Sequence, residues 1–370
     1  MFKDKVVTFI YQSGRNERLN LKNSFAEEFF YGYFHLKKHF KDTNIIEFKN
    51  SKLFSFFRIL NPLLRKLSGL PFFSENLLNL RNLVTIKKSD IVILTNQRVG
   101  FSMIPIYTLK FLFKFQSCVF IMGLLNIKYD SKIKTYFRKI FTKLFINLLD
   151  KLIFLSLGEY EYAKKNFPKY VSKFYFLPFS IDTDFWNTDS KTSQENKSIL
   201  FIGNDGKRDY EFVIELSKKM PDFNFKFITK KIDKSKVENK NVELISGKWD
   251  DLNITDEQIK EYYQSAFLTI IPLIESLQPS GQSVALQSLM VGTPVMITRT
   301  SGFWDPENLI NNKNIIFVEN NQINEWIEKI NKLFEDQASY KNLVKKGKIV
   351  VSENYNLESF NKQLLDILST

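Results

Sequence analysis

Short, continuous runs of apolar residues recur along the chain, and the intervals between many of them would each accommodate a helix. The runs lie at 6–11, 91–95, 119–122, 152–155, 199–202, 223–228, 267–271, 295–298 and 315–318. They are apolar at consecutive rather than alternate positions, which is typical of parallel strands buried on both faces. Helical patterns lie between several of them, for example at 209–219 and 283–291. The alternation predicts an α/β chain with doubly wound parallel sheets.

The length of 370 residues favours two domains, because a single hydrophobic core seldom supports so long a chain. A polar stretch at 187–197 is typical of a linker between domains. The last helical pattern, at 357–368, follows the second set of apolar runs. We therefore predict an N-terminal domain over 1–187, a C-terminal domain over 188–355 and a terminal helix over 356–370.

The net charge of +13 is concentrated in the first half of the chain. Residues 1–187 hold 30 Lys and Arg against 14 Asp and Glu, whereas the remainder holds 23 against 26. Within the first half, residues 51–150 hold 16 basic and 4 acidic residues. Such localised charge favours an anionic partner surface, either lipid or nucleic acid. Because no nucleic-acid-binding motif accompanies the charge, we expect a lipid surface and no nucleic acid.

Two segments, 51–70 and 132–149, are both basic and apolar. A helix of this kind can lie in a membrane interface, where each basic residue near anionic lipid contributes ~1 kcal/mol. The alternative is an amphipathic helix that packs its apolar side on its own sheet and exposes its charged side to water. We expect residues 51–150 to contact an anionic membrane surface.

Other features exclude some classes of protein. The single cysteine, Cys118, excludes a disulfide framework and favours a cytoplasmic setting. The N-terminus lacks the apolar core of a signal peptide, and no stretch of ~20 uncharged apolar residues could span a bilayer. We therefore expect a peripheral protein on the inner face of the cytoplasmic membrane.

His35 and His39 have the spacing of a metal pair, but no third ligand is evident, so no metal site is expected. The Lys-, Asn-, Ile- and Phe-rich composition is associated with AT-rich bacterial genomes.

A glycine-containing turn follows the apolar run at 199–202, and residues 203–210 read GNDGKRDY. A strand, such a turn and a helix together bring main-chain N–H groups and a helix N-terminus close to an anion. Lys207 and Arg208 add positive charge there, so a diphosphate would suit the turn. The alternative is a solvated turn without a ligand.

A second loop lies within residues 270–295, which predict a strand, a polar loop, a helix and the next strand. Ser280 is a candidate helix N-cap, and Gly281 would let a ligand approach the backbone. Gln287 lies two turns inside the helix near Ser283, where its amide could bind sugar or ribose hydroxyls. Alternatively, Gln287 is an ordinary helix residue bonded to its neighbours. In open α/β sheets ligands bind beyond the carboxyl ends of the strands, where both loops lie.

These segments resemble the donor site of the retaining glycosyltransferases of family 4. Residues 286–295 read LQSLMVGTPV, against the family pattern LEAMAxGxPV, and residues 177–185 are similar to its PNGVDxxxF hinge. Residues 203–210 are similar to its phosphate loop, and together the matches cover 150–355. The chain departs from the pattern at Gln287 and at Pro279 or its neighbour, where glutamates are usual, at Asn204, where arginine is usual, and at Gly123, where histidine is usual.

The resemblance implies a GT-B fold, in which two Rossmann-like domains face a cleft and the last helix crosses back to the first domain. It also implies metal-independent transfer with retention of anomeric configuration, with the nucleotide-sugar as a substrate and no cofactor. Lys207 and Arg208 would neutralise the departing diphosphate, and Gly123 would line the sugar cleft. The donor would be bound by Gly203, Asn204, Ser280, Gly281, Gln282, Ser283 and Gln287. Acceptor contacts are expected at Gly14, Arg15, Asn96 and Arg98, which follow predicted strands.

The sequence therefore predicts transfer of a hexose, from a UDP-sugar or next a GDP-sugar, to a lipid-linked or polysaccharide acceptor such as lipopolysaccharide, capsule or glycolipid. One alternative is a non-catalytic relative that binds nucleotide-sugar or anionic lipid, which the missing glutamates favour. Another is a nucleic-acid-binding α/β protein. A third is an epimerase of the same architecture, which the scarcity of histidine disfavours.

Overall fold

The computed structural model describes residues 2–21, 25–49, 54–109, 111–125, 131–188, 197–247 and 253–370. Most of the predicted linker at 187–197, and the first residues of the basic segment 51–70, lie outside the described residues. The chain divides into two compact units. Unit 1 comprises Met1–Asn20, Phe30–Leu177 and Asn361–Thr370, and unit 2 comprises Leu21–Phe29 and Pro178–Phe360.

Unit 1 is built on a six-stranded parallel sheet of order β2-β1-β3-β4-β5-β6. Its strands are β1 (Val6–Tyr11), β2 (Asp42–Glu47), β3 (Ile91–Leu94), β4 (Gln116–Ile121), β5 (Lys151–Phe154) and β6 (Phe174–Phe176). Its helices are α1 (Arg15–Leu19), α2 (Tyr33–Leu36), α3 (Phe56–Ser68), α4 (Leu80–Lys87), α5 (Gln97–Ser102), α6 (Ile104–Tyr107), α7 (Lys132–Leu148) and α8 (Leu157–Asn166). The central strands are buried, which explains their uninterrupted apolar sequences.

Unit 2 repeats the plan with a six-stranded parallel sheet of order β12-β11-β10-β7-β8-β9. Its strands are β7 (Ser198–Ile202), β8 (Asn224–Ile228), β9 (Val242–Ile245), β10 (Leu268–Ile271), β11 (Val295–Thr298) and β12 (Ile316–Val318). Its helices are α9 (Thr183–Trp186), α10 (Tyr210–Lys219), α11 (Asp256–Gln264), α12 (Gln282–Val291), α13 (Ile323–Glu335) and α14 (Gln337–Asn354). The final helix, α15 (Leu357–Ser369), begins in unit 2 and ends in unit 1.

The predicted α/β architecture is confirmed, and the strands that the sequence did not reveal are β2, β6 and β9. All three lie at sheet edges. An edge strand has one side open to water, and the burial of β2 and β9 is accordingly only partial. Without complete burial a strand does not need an uninterrupted apolar sequence, so the pattern used to find the other strands is missing.

The two units divide the chain differently from the predicted ranges 1–187, 188–355 and 356–370. The division falls between Leu177 and Pro178, and Leu21–Phe29 belongs to unit 2 although its flanking residues belong to unit 1. The last ten residues, Asn361–Thr370, return to unit 1. There the Lys151 ammonium donates a 2.7 Å hydrogen bond to the Thr370 hydroxyl.

The helices α3 and α7 pack apolar side chains against the core, but each also buries polar side chains and leaves other apolar ones exposed. On α3, Phe56 and Ile59 are 65% and 77% exposed, whereas Asn61 and Ser68 are buried. On α7 the buried residues are Arg138, Thr142, Phe145 and Ile146. The Arg138 guanidinium is used internally, because its Nη2 donates a 2.7 Å bond to the Leu124 carbonyl.

The exposed apolar residues of α7 form a stripe at helical spacing, and it comprises Ile133, Tyr136, Ile140 and Leu144. A second set of apolar residues on the same helix, including Phe145 and Ile146, packs in the core of unit 1, while Lys139 and Lys143 are exposed. The alternative interpretation of segment 132–149, an amphipathic helix packed on its own unit, therefore also describes α7. Buried Arg138 donates to the Gly69 and Leu124 carbonyls, and the exposed stripe lies on the opposite side of the helix. Across the part of the chain that the structure describes, no helix is both long and apolar enough to cross a membrane.

Candidate functional site

Arg208 lies buried in the turn between β7 and α10, against a glycine. Its Nη1 donates a 2.9 Å hydrogen bond to Oδ2 of Asp205, and its Nε lies 3.4 Å from the Ile202 carbonyl. A Cβ atom at Gly203 would come within 2.7 Å of the arginine side chain, so only glycine leaves room for it. Lys207 is half-buried, and no described residue pairs with its ammonium group. The sequence-predicted cations therefore differ, one fixed by an ion pair and the other available.

The loop before α12 brings a helix N-terminus close to Arg208. Gly281 has a φ of 85° and is the N-cap of α12, with no side-chain hydrogen bond capping the helix. The predicted N-cap at Ser280 is thus wrong by one residue, because the left-handed conformation at the cap favours glycine. A Cβ atom at Gly281 would lie 3.6 Å from Arg208 Nη1. Positive charge and uncapped N–H groups are adjacent, which is the arrangement that binds anions.

The Ser280 hydroxyl is buried beside this helix N-terminus and has no hydrogen-bond partner among the described residues. Leaving a buried polar group unpaired costs about 1–3 kcal/mol, so such groups usually have a ligand or water as partner. The neighbouring Gln282 is buried and Ser283 is half-exposed. The predicted donor-binding residues 280–283 therefore form one turn, with an unused hydroxyl at its start.

Gln287 is buried, and both ends of its amide are bonded within unit 2. Its Nε2 donates a 2.8 Å hydrogen bond to Oε1 of Glu28, and its Oε1 accepts a 3.1 Å bond from the Tyr263 hydroxyl. The same Glu28 oxygen accepts a 2.9 Å bond from Trp186 Nε1. Any donor contact by Gln287 would have to compete with these bonds.

Glu28 is the residue of this group that sequence reasoning missed. It lies in the Leu21–Phe29 segment, whose main chain donates hydrogen bonds to two carboxylates. Ala26 N donates to Asp256 Oδ2 at 3.0 Å, and Glu27 N donates to Asp182 Oδ2 at 3.3 Å. Burial raises the pKa of Glu28 to about 7, although the hydrogen bond from Gln287 opposes the shift. The aromatic residues that follow it in the sequence were the only signal that this carboxylate is buried.

The Asn204 side chain, in the turn after β7, forms hydrogen bonds with the segments that follow β8 and β9. Its Nδ2 donates a 2.9 Å hydrogen bond to the Gly247 carbonyl, and its Oδ1 accepts a 2.7 Å bond from Lys230 N. The side chain thus joins the end of β7 to the end of β8. Its amide is engaged within the protein, which leaves its main chain for any contact with a donor.

In unit 1, the loops after β1, β3 and β4 are linked at the carboxyl edge of the sheet. Asn96 Nδ2 lies 3.2 Å from Gln12 Oε1, and Gln97 Nε2 donates a 2.9 Å bond to the Met122 carbonyl. These bonds gather the loops that carry Gly14, Arg15, Asn96, Arg98 and Gly123. The structure therefore places the predicted acceptor residues on one sheet edge, which is where ligands bind in open α/β sheets.

Gly14 and Arg15 form the start of α1, where an acidic side chain already lies. Gly14 has a φ of 84°, and Glu47 Oε1 accepts a 2.5 Å hydrogen bond from Arg15 N. The Arg15 guanidinium lies 5.1 Å from the Tyr11 ring centre, and burial lowers its pKa. Arg15 is therefore held against the sheet edge by its own unit.

Asn96 is the N-cap of α5, because its side chain accepts a 3.0 Å bond from Val99 N. Arg98 is exposed, and its guanidinium lies 4.4 Å from the centre of the Phe73 ring. Partial burial of the side chain lowers the pKa of Arg98, and repulsion from Arg65 lowers it further by a smaller amount. Of these two predicted acceptor residues, Arg98 has the more accessible polar group.

Gly123 begins a turn that holds a buried carboxylate. Glu159 Oε2 accepts a 2.7 Å bond from Gly123 N, and Oε1 accepts a 2.7 Å bond from Leu125 N. Burial raises the pKa of Glu159 to about 7 against these hydrogen bonds. Glu159 shapes the loop at Gly123 and was not among the predicted site residues.

The rings of His35 and His39 lie 4.6 Å apart on one side of unit 1. Among the described residues, no group of three or more His, Cys, Asp or Glu side chains could hold a metal ion.

Residues 191–350 match the family model described as glycosyl transferases group 1. The match covers most of unit 2, including the turn at Gly203 and the loop before α12. No curated protein matches the chain.

Solved structures are similar over nearly the whole chain. Sucrose-phosphate synthase from Thermosynechococcus elongatus has a TM-score of 0.73 at 13% identity, covering 99% of this chain and 98% of that one. HepE of Anabaena, in complex with UDP and glucose, has a TM-score of 0.67 at 14% identity, covering 99% and 100%. A glycosyltransferase from Rickettsia africae has a TM-score of 0.67 at 13% identity, covering 99% and 98%. The shared fold is the GT-B fold of glycosyltransferases.

Proposed function

We propose that the chain is a glycosyltransferase that moves a hexose from a nucleotide-diphosphate sugar to a membrane-associated acceptor with retention of configuration. The observation that carries the proposal is the anion site of unit 2, where buried Arg208 lies beside the uncapped N-terminus of α12 and the unpaired Ser280 hydroxyl. The group 1 match over 191–350 supports sugar transfer. The complex of HepE with UDP and glucose supports a UDP-sugar, with GDP-sugars next.

In this mechanism the protein stabilises the charge that develops on the departing diphosphate. When the bond between the anomeric carbon and the phosphate oxygen breaks, its electrons stay on the diphosphate. The ion pair with Asp205 fixes Arg208 through Nη1, which leaves Nη2 to donate to phosphate oxygens. Lys207 supplies a second positive charge, and the first N–H groups of α12 supply aligned dipoles. We propose that these groups provide the counter-charge without a metal ion.

On the acceptor side, we propose that the linked loops of unit 1 bind the incoming hydroxyl compound. Arg98 is the residue with the most accessible charge there, and Gly123 leaves its loop without a side chain that would fill it. Asn96, Gly14 and Arg15 shape the same sheet edge. The acceptor we favour is a lipid-linked glycan, a polysaccharide or a glycolipid precursor.

Membrane association on the cytoplasmic face is part of the proposal, and it rests on the outward apolar stripe of α7. Exposed Lys139 and Lys143 flank that stripe, and neither α3 nor α7 contains an acidic residue. Apolar side chains would enter the interface while the cations meet anionic headgroups.

A second candidate is a non-catalytic relative that binds nucleotide-sugar. The bonding of Gln287 favours it, since Glu28 and Tyr263 occupy both ends of the amide at the position where the family has a glutamate. Such a protein would bind a sugar nucleotide and leave it intact.

The test is slow hydrolysis of UDP- and GDP-sugars without an acceptor, measured as release of the nucleoside diphosphate. We expect one donor to be hydrolysed, and Lys207→Ala and Arg208→Lys each to lower the rate about 10²-fold or more, as loss of a transition-state donor does. Lys218→Ala is the matched control, because Lys218 is exposed on α10 away from the turn. Binding without turnover of any donor would support the non-catalytic candidate, and equal losses in the control variant would contradict the assigned roles.

A further inference from the structure

A polar cavity of about 740 Å³ lies in unit 1 between the edge strand β2 and helix α4. It reaches Asn16 in α1, beside the predicted acceptor residues Gly14 and Arg15 at the start of that helix, and extends from there along β2 and α4. Its lining includes the amides of Asn16, Asn44, Asn79 and Asn82, and the half-buried ring of Phe48.

Several polar groups in this cavity have unused hydrogen-bonding capacity. Asn79 Oδ1 accepts from Asn82 N, and Asn82 Nδ2 donates to the Leu77 carbonyl, which leaves the opposite end of each amide available. No described residue bonds to the side-chain amide of Asn44. An amide offers donors and an acceptor together, which is what a sugar hydroxyl requires.

The charged side chains that line the cavity, Glu47, Lys49 and Arg81, carry a net positive charge. Glu47 is engaged by α1, since its Oε1 accepts from Arg15 N at 2.5 Å and its Oε2 from Asn16 Nδ2 at 2.8 Å. The cations of Lys49 and Arg81 are exposed, and none of the described acidic residues pairs with them. A ligand in the cavity would therefore meet two cations, Lys49 and Arg81, against the one carboxylate of Glu47.

We propose that this β2–α4 cavity is a subsite for an anionic saccharide. The amides would bind ring hydroxyls, and Phe48 would give an apolar wall. Lys49 and Arg81 would bind a carboxylate or phosphate on the sugar. The inference rests on the proposed function in one respect: the saccharide would be a distal part of the acceptor, held while another part receives the hexose.

The test measures saccharide binding by the full-length protein with ligand-observed NMR and calorimetry. The probes are a hyaluronan tetrasaccharide for a carboxylate, glucose 6-phosphate for a phosphate, and maltotetraose as the neutral sugar. The variant Lys49→Gln/Arg81→Gln removes both cations, and Asn44→Leu removes one amide. Lys41→Gln/Lys87→Gln is the matched control, because both lysines are exposed near β2 and α4 but do not line the cavity.

We expect an anionic probe to bind, the neutral one to bind much more weakly, and the first double variant to weaken binding about tenfold or more, as loss of charge-assisted bonds does. Binding of only the uronate or only the phosphate probe supports the subsite and identifies the anion. Equal binding of maltotetraose, or equal losses in the control, would overturn it. Donor hydrolysis is measured on the same samples. Hydrolysis without binding of any saccharide overturns the subsite alone, whereas binding without hydrolysis of any donor overturns the proposed function alone.

Discussion

Position 281 requires glycine because of both its backbone angle and the space around it. Its φ is 85°, and a Cβ atom there would lie 2.7 Å from Ile271 Cγ2. We expect Gly281→Ala to lower the free energy of unfolding by about 1–3 kcal/mol and to weaken donor binding. Gly206→Ala is the control, since Gly206 lacks a positive φ and a Cβ atom there would meet no atom within 4 Å. Urea unfolding and donor titration measure both effects, and equal losses in the two variants would contradict the argument.

Glu28 should make the stability of the protein depend on pH. Burial raises its pKa from 4.5 to about 7, so the folded protein holds a proton that the unfolded chain releases. Its contribution to the free energy of unfolding is therefore fully present below about pH 4.5 and lost as the pH rises through about 7. We expect Glu28→Gln to reduce the loss of stability between about pH 5 and about pH 8 by on the order of 2 kcal/mol.

Urea unfolding of both proteins at the two pH values measures this difference. The variant should retain some pH dependence, because the pKa of Glu159 is also raised to about 7 by burial. An unchanged difference between the two pH values in Glu28→Gln would show that Glu28 does not titrate in this range.

The sequence indicated the residues of the donor turns but not their partners. A turn and the start of a helix depend on consecutive residues, so a local pattern could indicate Gly203, Arg208 and Gly281. Glu28 and Gln287 are 259 positions apart, so no local pattern could reveal their hydrogen bond. Gln287 was expected to contact the donor. Titration of a Gln287 variant with the donor would test this prediction.

Among the elements, α7 carries the prediction about membranes. Ile140→Glu places a charge within its outward stripe and should reduce binding to vesicles that contain anionic lipid about tenfold or more. Co-sedimentation with phosphatidylcholine vesicles, with and without phosphatidylglycerol, measures the effect. Ile349→Glu is the control, since Ile349 is a comparably exposed apolar residue on α14 of unit 2. Equal binding of both variants would exclude α7 as the contact.

Element prediction succeeded where burial was complete. β1 and β11 have the predicted bounds, and α10 starts one residue after its predicted first position, because Asp209 is the N-cap. The orientation of α7 could not be predicted from hydrophobic periodicity, because apolar residues lie on both sides of the helix and the buried side also holds an arginine that donates to main-chain carbonyls. Its carbonyl partners at Gly69 and Leu124 are known only from the folded structure.

At the scale of the whole molecule, unit 2 is discontinuous in the chain, and this leads to a prediction. A fragment that begins at Pro178 lacks Leu21–Phe29 and so removes Glu28 from Gln287 and Trp186. We expect this fragment to unfold at lower urea concentration than unit 2 does within the full chain. Adding a peptide of residues 21–29 should partly restore it, and the same peptide with Glu28→Ala should not. Full stability of the fragment alone would contradict the role of the segment.

The same discontinuity affects how the protein is made. The segment that carries Glu28 leaves the ribosome well before its partners Asp182, Asp256 and Gln287. Unit 1 in turn includes Asn361–Thr370, which is synthesised after the whole of unit 2. Neither unit can therefore complete its fold before most of the other unit has been synthesised.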